Sequence, residues 1–453
     1  MEMTLTAVDA RRALPTGSAH SRRKSRVASV LCVLPALYFL ATVCFALANW
    51  QDYLSATPQL IRYVIAPGAI FAALALCALF GSRYLRVTLG GTILGILIAL
   101  FVFEAYLQAT GFRAIMGLVT VPQREWMDKA GARGLPPAFT INRLNQSLGV
   151  RRLDHAVLSG LPGQRTLLCV HKGKPIFYQA DHLGFRNAEA VYAKPVNLMV
   201  VGDSFVEGLC LPEGRDLVAR IGETQGNVMN LGTRGAGPLL ELAMLGRFGA
   251  AIKPKRVIIA FYEGNDWDNL ENERRVPFLM RALAPDAKFG PARLAPAVAH
   301  RSEGIVQEWI RRDTPGLVEM FQRTNVVRNT FALHATGTQL GIGYPRATPE
   351  IADYARILAR AKALAAGWGG TLELMYIPQS SRFQGIFTNQ FVYDQLREKV
   401  LRDAKANGVP VIDLVPPFLA QPDKHELFAP DGHLSERGAS LAARLVAGRS
   451  AAK

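Results

Sequence analysis

The chain has 453 residues, half of them hydrophobic, and a formal net charge of +16. That is long enough for a membrane segment and one large domain with a full core. Its five cysteines form no CxxC pair, and with no HExxH motif or His-rich cluster the sequence points to no metal and no cofactor.

Three apolar runs precede residue 110: Ala28 to Asn49, Tyr63 to Phe80, and Val87 to Leu107. Each approaches or exceeds the roughly 20 residues that cross a bilayer as a helix. Glu104 falls near the end of the third run, where a carboxylate reaches the interface. Arg11, Arg12, Arg22, Arg23, Lys24 and Arg26 precede the first run, and Arg83 and Arg86 lie between the second and third. The link between the first and second holds Asp52 and a single basic residue, Arg62. The positive-inside rule therefore predicts a cytoplasmic N-terminus. Three crossings of a bacterial inner membrane then place everything after residue 110 in the periplasm, with Trp50, Tyr53 and Tyr106 at interfaces. A signal peptide ending at Ala46-Leu47-Ala48 is the competing reading of the first run, although its apolar core exceeds the usual length of about 7–15 residues. Cleavage would leave two spans and the same side for the domain. Gly91-x-x-x-Gly95 reads either as a helix-packing face or as ordinary small-residue content. An exported domain is out of reach of nucleic acid. Its basic excess suits an anionic membrane surface, an acidic polysaccharide, or plain solvation. Cys32, Cys44 and Cys77 fall in the spans. Cys169 and Cys210 fall beyond them, where they either pair or stand free, since the sequence does not fix their separation.

The remainder reads as a basic N-terminus (1–27), a three-helix transmembrane segment (28–108), a connector with a hairpin (109–190), and a catalytic domain (191–450). The connector shows weak helical periodicity near Val121 to Ala132. Arg165 to Val170 and Pro175 to Gln179 flank His171-Lys172-Gly173-Lys174 as a hairpin. Strands are predicted at Asn197 to Val201, Asn227 to Leu231, Arg256 to Tyr262, Thr371 to Ile377 and Val409 to Leu414. Helices are predicted at Arg215 to Thr224, Leu239 to Ala251, Pro349 to Ala366, Phe391 to Asn407 and Ser435 to Val446. Alternation of short apolar strands with helices implies an α/β fold with a parallel sheet covered on both faces. Residues 267–345 exceed this pattern and read as a cap over the site or as an excursion.

Four blocks carry the chemistry. Gly202-Asp203-Ser204-Phe205 ends the first core strand and holds a serine at the carboxyl edge of the sheet. Asn230-Leu231-Gly232-Thr233-Arg234-Gly235, Gly264-Asn265-Asp266 and Asp431-Gly432-His433 follow in that order. Over roughly residues 181–447 the chain resembles the SGNH (GDSL) hydrolase family. Asp181-His182-Leu183-Gly184-Phe185-Arg186 is similar to a segment of its membrane-anchored bacterial members. The resemblance implies a three-layer, flavodoxin-like sandwich. It also implies a Ser204, Asp431 and His433 triad, with an oxyanion hole from the Ser204 and Gly235 N–H groups and the Asn265 amide.

The residues themselves fit that chemistry. A serine needs a base to take its proton, and the base needs an orienting acceptor. His433 and Asp431 supply both. Family members usually place two residues between the aspartate and the histidine; here there is one, Gly432, as in some alginate O-acetylation proteins. Asp423 is the alternative acid. Asp203 and Asp266 are expected to shape turns. Glu207, Arg234, Trp267 and Asp268 either contact substrate or are solvated. The reading is a membrane-anchored serine esterase or O-acyltransferase acting on acylated envelope or secreted polysaccharide, with a possible membrane partner supplying acyl groups. A lipid acyl hydrolase, or a non-catalytic polysaccharide-binding or export-assembly component on the same fold, is the alternative.

Overall fold

In the computed structural model, the described residues are 17–54, 57–119, 123–137, 139–171, 173–312, 326–343 and 348–451. Expectations resting on Met1, Arg11, Arg12, Val121, Lys172, Lys453 and insertion residues 313–325 and 344–345 lie outside them, as do the side chains of Arg22, Arg23, Lys24 and Arg26. The chain divides into two units, Met1–Ala105 with Phe331–Leu333, and Tyr106–Thr330 with His334–Lys453.

The first unit contains two of the apolar helices and most of the third. Val27–Ala48, Ile61–Phe80 and Arg83–Thr110 are long and apolar enough to cross a membrane. Close packing among them uses Gly90, where a Cβ would come within 2.8 Å of the Cys32 backbone nitrogen. A Cβ at Gly91 or Gly95 would meet nothing within 4 Å, so the GxxxG spacing does not mark a contact here.

The second unit is built on seven strands among the described residues. An antiparallel hairpin pairs β1 (Arg165–His171) with β2 (Lys174–Gln179). Five parallel strands follow: β3 (Leu198–Gly202), β4 (Val228–Gly232), β5 (Arg256–Tyr262), β6 (Thr371–Ile377) and β7 (Val411–Asp413). Their spatial order is β4-β3-β5-β6-β7. Counting from the first core strand this is 2-1-3-4-5, the flavodoxin-like order, with its switch point between β3 and β5. The expected strands are in place to within a residue or two. β7 is shorter than the apolar run because Pro410 has no N–H to donate to the ladder.

Each strand is apolar almost throughout because both faces are covered. Met199, Val201, Val257, Ile259, Leu374 and Tyr376 enter one core. Leu198, Val200, Ile258, Ala260, Met375 and Ile377 enter the other. This strict alternation sends neighbours to opposite faces, as a period of two residues demands. Helices Pro238–Met244, Ala352–Gly367 and Gln390–Ala406 cover the first face, and Leu217–Gln225 and Glu436–Ala451 the second. The result is a three-layer α/β sandwich.

The long insertion is not a free excursion over its first half. Helices Asp266–Glu273, Pro277–Met280 and Pro296–Arg312 place Leu270, Phe278, Leu279, Val306 and Ile310 in the first core. Glu273 accepts the N–H groups of Gly237 (2.8 Å), Leu239 (2.9 Å) and Leu240 (3.2 Å), capping the helix after β4 from outside its own chain segment. Arg247 donates to the carbonyls of Phe289, Ala156 and Leu153, tying insertion and connector to the same helix run. Cys169 in β1 and Cys210 form a disulfide across Cα atoms 5.4 Å apart.

Candidate active site

Three neighbouring strands deliver three of the blocks to one edge. β3 ends at Gly202, and Ser204 opens the single-turn helix Ser204–Glu207. Asp203 is its N-cap, taking the Phe205 N–H on Oδ1 at 2.9 Å. Gly208 closes the turn at φ +79°. As the first residue of a helix, Ser204 has no intrahelical acceptor for its N–H, which leaves that donor for a ligand. The expected helix at Arg215 to Thr224 begins later, at Leu217, with Asp216 as its cap.

β4 ends at Gly232, and residues Thr233–Ala236 form a turn closed by the Ala236 N–H on the Thr233 carbonyl at 3.0 Å. Gly235 is third in this turn with φ +72°, a position that asks for glycine. The turn is braced against the helix Ser204–Glu207. Asn230 donates to the Val206 carbonyl at 2.7 Å, and a Cβ on Gly232 would stand 2.0 Å from the Glu207 nitrogen. β5 ends at Tyr262, and Asn265 is the N-cap of helix Asp266–Glu273. The Asn265 amide oxygen is buried without a partner, and its amide group lies beside the Asp203 carboxyl. A primary amide has two N–H donors, so one contact leaves a second hydrogen available. Asp266 takes the Tyr262 N–H at 2.6 Å and shapes this turn.

The last block closes the site. His433 Nε2 is 2.9 Å from Ser204 Oγ. Its Nδ1 is 3.3 Å from Asp431 Oδ2, off the line of a hydrogen bond. Asp431 Oδ1 also accepts the His433 backbone N–H at 3.2 Å. Gly432 between them has φ +88°, a left-handed bend that brings both flanking side chains to the same side over the shortened spacing. Burial opposes ionisation of Asp431, but the adjacent imidazole and the backbone N–H of His433 outweigh it and hold the carboxyl below its usual range. Phe205 packs its ring 4.7 Å from the imidazole, a support that sequence reasoning missed.

Other candidates fall elsewhere. Asp423 is 59% exposed and pairs with Arg437, so the structure does not bring it to His433. Glu207 and Arg234 are neither solvated nor open to substrate: they are buried against each other. Trp267 is buried and donates to the Pro349 carbonyl at 3.2 Å, while Asp268 is exposed. Arg186, from the segment ahead of β3, donates to the carbonyls of Glu207, Gly208 and Leu211, and so clamps the exit of the Ser204–Glu207 turn.

No protein-family model and no curated protein matches the chain. Among solved structures it is similar to one described as a lipolytic protein of the G-D-S-L family from Desulfitobacterium hafniense DCB-2, at 16% identity and TM-score 0.27, covering 55% of this chain and 97% of that one. It is also similar to a lipase/acylhydrolase from Enterococcus faecalis, at 18% identity and TM-score 0.28, covering 56% of this chain and 94% of that one. At these TM-scores the likeness decides neither fold nor activity. The strand order, the two cores, and three blocks at strand ends with His433 brought against Ser204 stand on their own. They define a three-layer α/β sandwich with the flavodoxin-like strand order.

Proposed function

We propose that the chain is a membrane-anchored serine esterase or O-acyltransferase that works through an acyl-Ser204 intermediate. The observation that carries this reading is the 2.9 Å contact between Ser204 Oγ and His433 Nε2 at the switch point of the sheet. With the Nδ1 proton turned toward Asp431, Nε2 accepts the serine proton as Oγ attacks an ester carbonyl. The N–H groups of Ser204 and Gly235 and the Asn265 amide meet the developing oxyanion; each such donor is worth about 10²–10³ in rate. The tetrahedral intermediate collapses, and the imidazolium returns its proton to the leaving alkoxide. Water or a sugar hydroxyl then gives its proton to His433 as it attacks the acyl carbon, and the imidazolium returns that proton to Ser204 Oγ as the acyl–Oγ bond breaks. Water makes the protein an esterase; a sugar hydroxyl makes it a transferase.

The three apolar helices and the basic N-terminal sequence support an inner-membrane protein with its catalytic domain in the periplasm. That placement favours acylated envelope or secreted polysaccharide as substrate. Mass spectrometry of envelope glycans should reveal altered O-acylation in cells lacking the gene, restored by the wild-type chain and not by Ser204→Ala. Unaltered glycans in all strains would refute the polysaccharide substrate.

A further inference from the structure

Two turns must keep a fixed spacing for this chemistry: the helix Ser204–Glu207, which carries the nucleophile, and the turn Thr233–Ala236, which presents Gly235. One side chain joins them. Glu207 lies on the same helical turn as Ser204, and its carboxylate accepts the backbone N–H of Arg234 at 3.2 Å. It also accepts Arg234 Nε at 3.0 Å and Nη2 at 2.7 Å, and the Tyr178 hydroxyl at 3.2 Å. The side chains of Arg234 and Glu207 are only 7% and 5% exposed.

A buried ion pair is weak evidence for stability, because an apolar pair of similar volume often serves a core as well. What an apolar pair does not do is accept the N–H of the residue next to Gly235. The carboxylate fixes that peptide relative to the nucleophile's turn, and the guanidinium and phenol fix the carboxylate. Oxyanion donors act only when they are already in place at hydrogen-bond distance from the developing charge.

We propose that Glu207 is a positioning residue that holds the Gly235 N–H in register with Ser204. The inference rests on the acyl-serine reading above. The carboxylate touches no reacting atom; it acts through the turn it holds.

The test is made on the full chain in detergent. Glu207→Asp keeps the charge that Arg234 needs but draws the carboxylate back by one methylene, so it no longer spans both turns. Hydrolysis of p-nitrophenyl acetate should lose about 10²-fold in kcat, the scale of one misplaced oxyanion donor, with KM and the pH–rate profile unchanged. Tyr178→Phe loosens the same carboxylate without unpairing a charge, and should lower kcat by a smaller factor in a protein of near-normal melting temperature. It covers the case in which Glu207→Asp does not fold. Lowered melting temperatures with wild-type kcat per folded molecule would make the pair merely structural and overturn the proposal. Fluorophosphonate labelling separates the two levels. A wild-type chain that is neither labelled at Ser204 nor active refutes the acyl-serine reading and this inference with it. A labelled, active wild type with an equally active Glu207→Asp refutes only the positioning role.

Discussion

Asp431 meets His433 twice: Oδ1 takes its backbone N–H at 3.2 Å, and Oδ2 stands 3.3 Å from its Nδ1. One side chain therefore both shapes the loop and faces the ring, so the two roles are separable by substitution. Asn in place of Asp431 keeps an oxygen for the backbone N–H but presents no charge to the imidazole. Turnover of Asp431→Asn should fall steeply, up to the about 10⁴-fold seen for the analogous change in a serine-protease triad. The melting temperature should move little. Asp423→Asn, altering a surface carboxylate paired with Arg437, should retain turnover. A large loss at Asp423 with little at Asp431 would reassign the acid.

Glu241 should make stability depend on pH. It is buried behind the site, with Oε1 unpartnered. Burial first, and then the charges of Asp203 and Glu273, push its carboxyl well above the ordinary range. The folded chain thus holds a proton that the unfolded chain releases. The stabilising contribution is fully present below the unfolded value of about 4.5 and is lost as pH rises through the folded one. Wild-type melting temperature should fall as pH rises above about 5, and Glu241→Gln, a neutral mimic of the protonated acid, should shrink that fall. An identical fall in the variant would show that the proton is held elsewhere.

The proposed topology predicts that alkaline phosphatase fused after Lys453 is active in intact cells. Green fluorescent protein exported there through the general secretion route should stay dark. The reverse pattern would put the domain in the cytoplasm and remove envelope glycans as substrates.

Much of this was legible from residue order alone. Runs such as Leu198-Met-Val-Val-Gly202 read as strands covered on both faces, because no polar residue interrupts them. The turn residues Gly202, Gly235 and Gly432 punctuate the chain where the backbone needs them. The partnership of Glu207 with Arg234 was not legible: charged side chains default to solvent, and it takes the pairing of β3 with β4 and the Tyr178 side chain of β2 to enclose them. The insertion stayed open for a related reason. It reads as a cap or an excursion, and the core positions of Phe278 and Val306 are fixed by contacts far away in sequence. The disulfide stayed open because 41 residues separate its halves, and residue order alone does not set their distance.

The central claim is that His433 activates Ser204 as a nucleophile, and it is tested most directly at the atom that reacts. The purified chain is treated with a fluorophosphonate and digested, and the modified peptide is sequenced by mass spectrometry. The account predicts one adduct on Ser204, none in Ser204→Ala, and labelling slowed by orders of magnitude in folded His433→Ala. Absence of the adduct from the folded wild type, or equal labelling rates with and without His433, would contradict it.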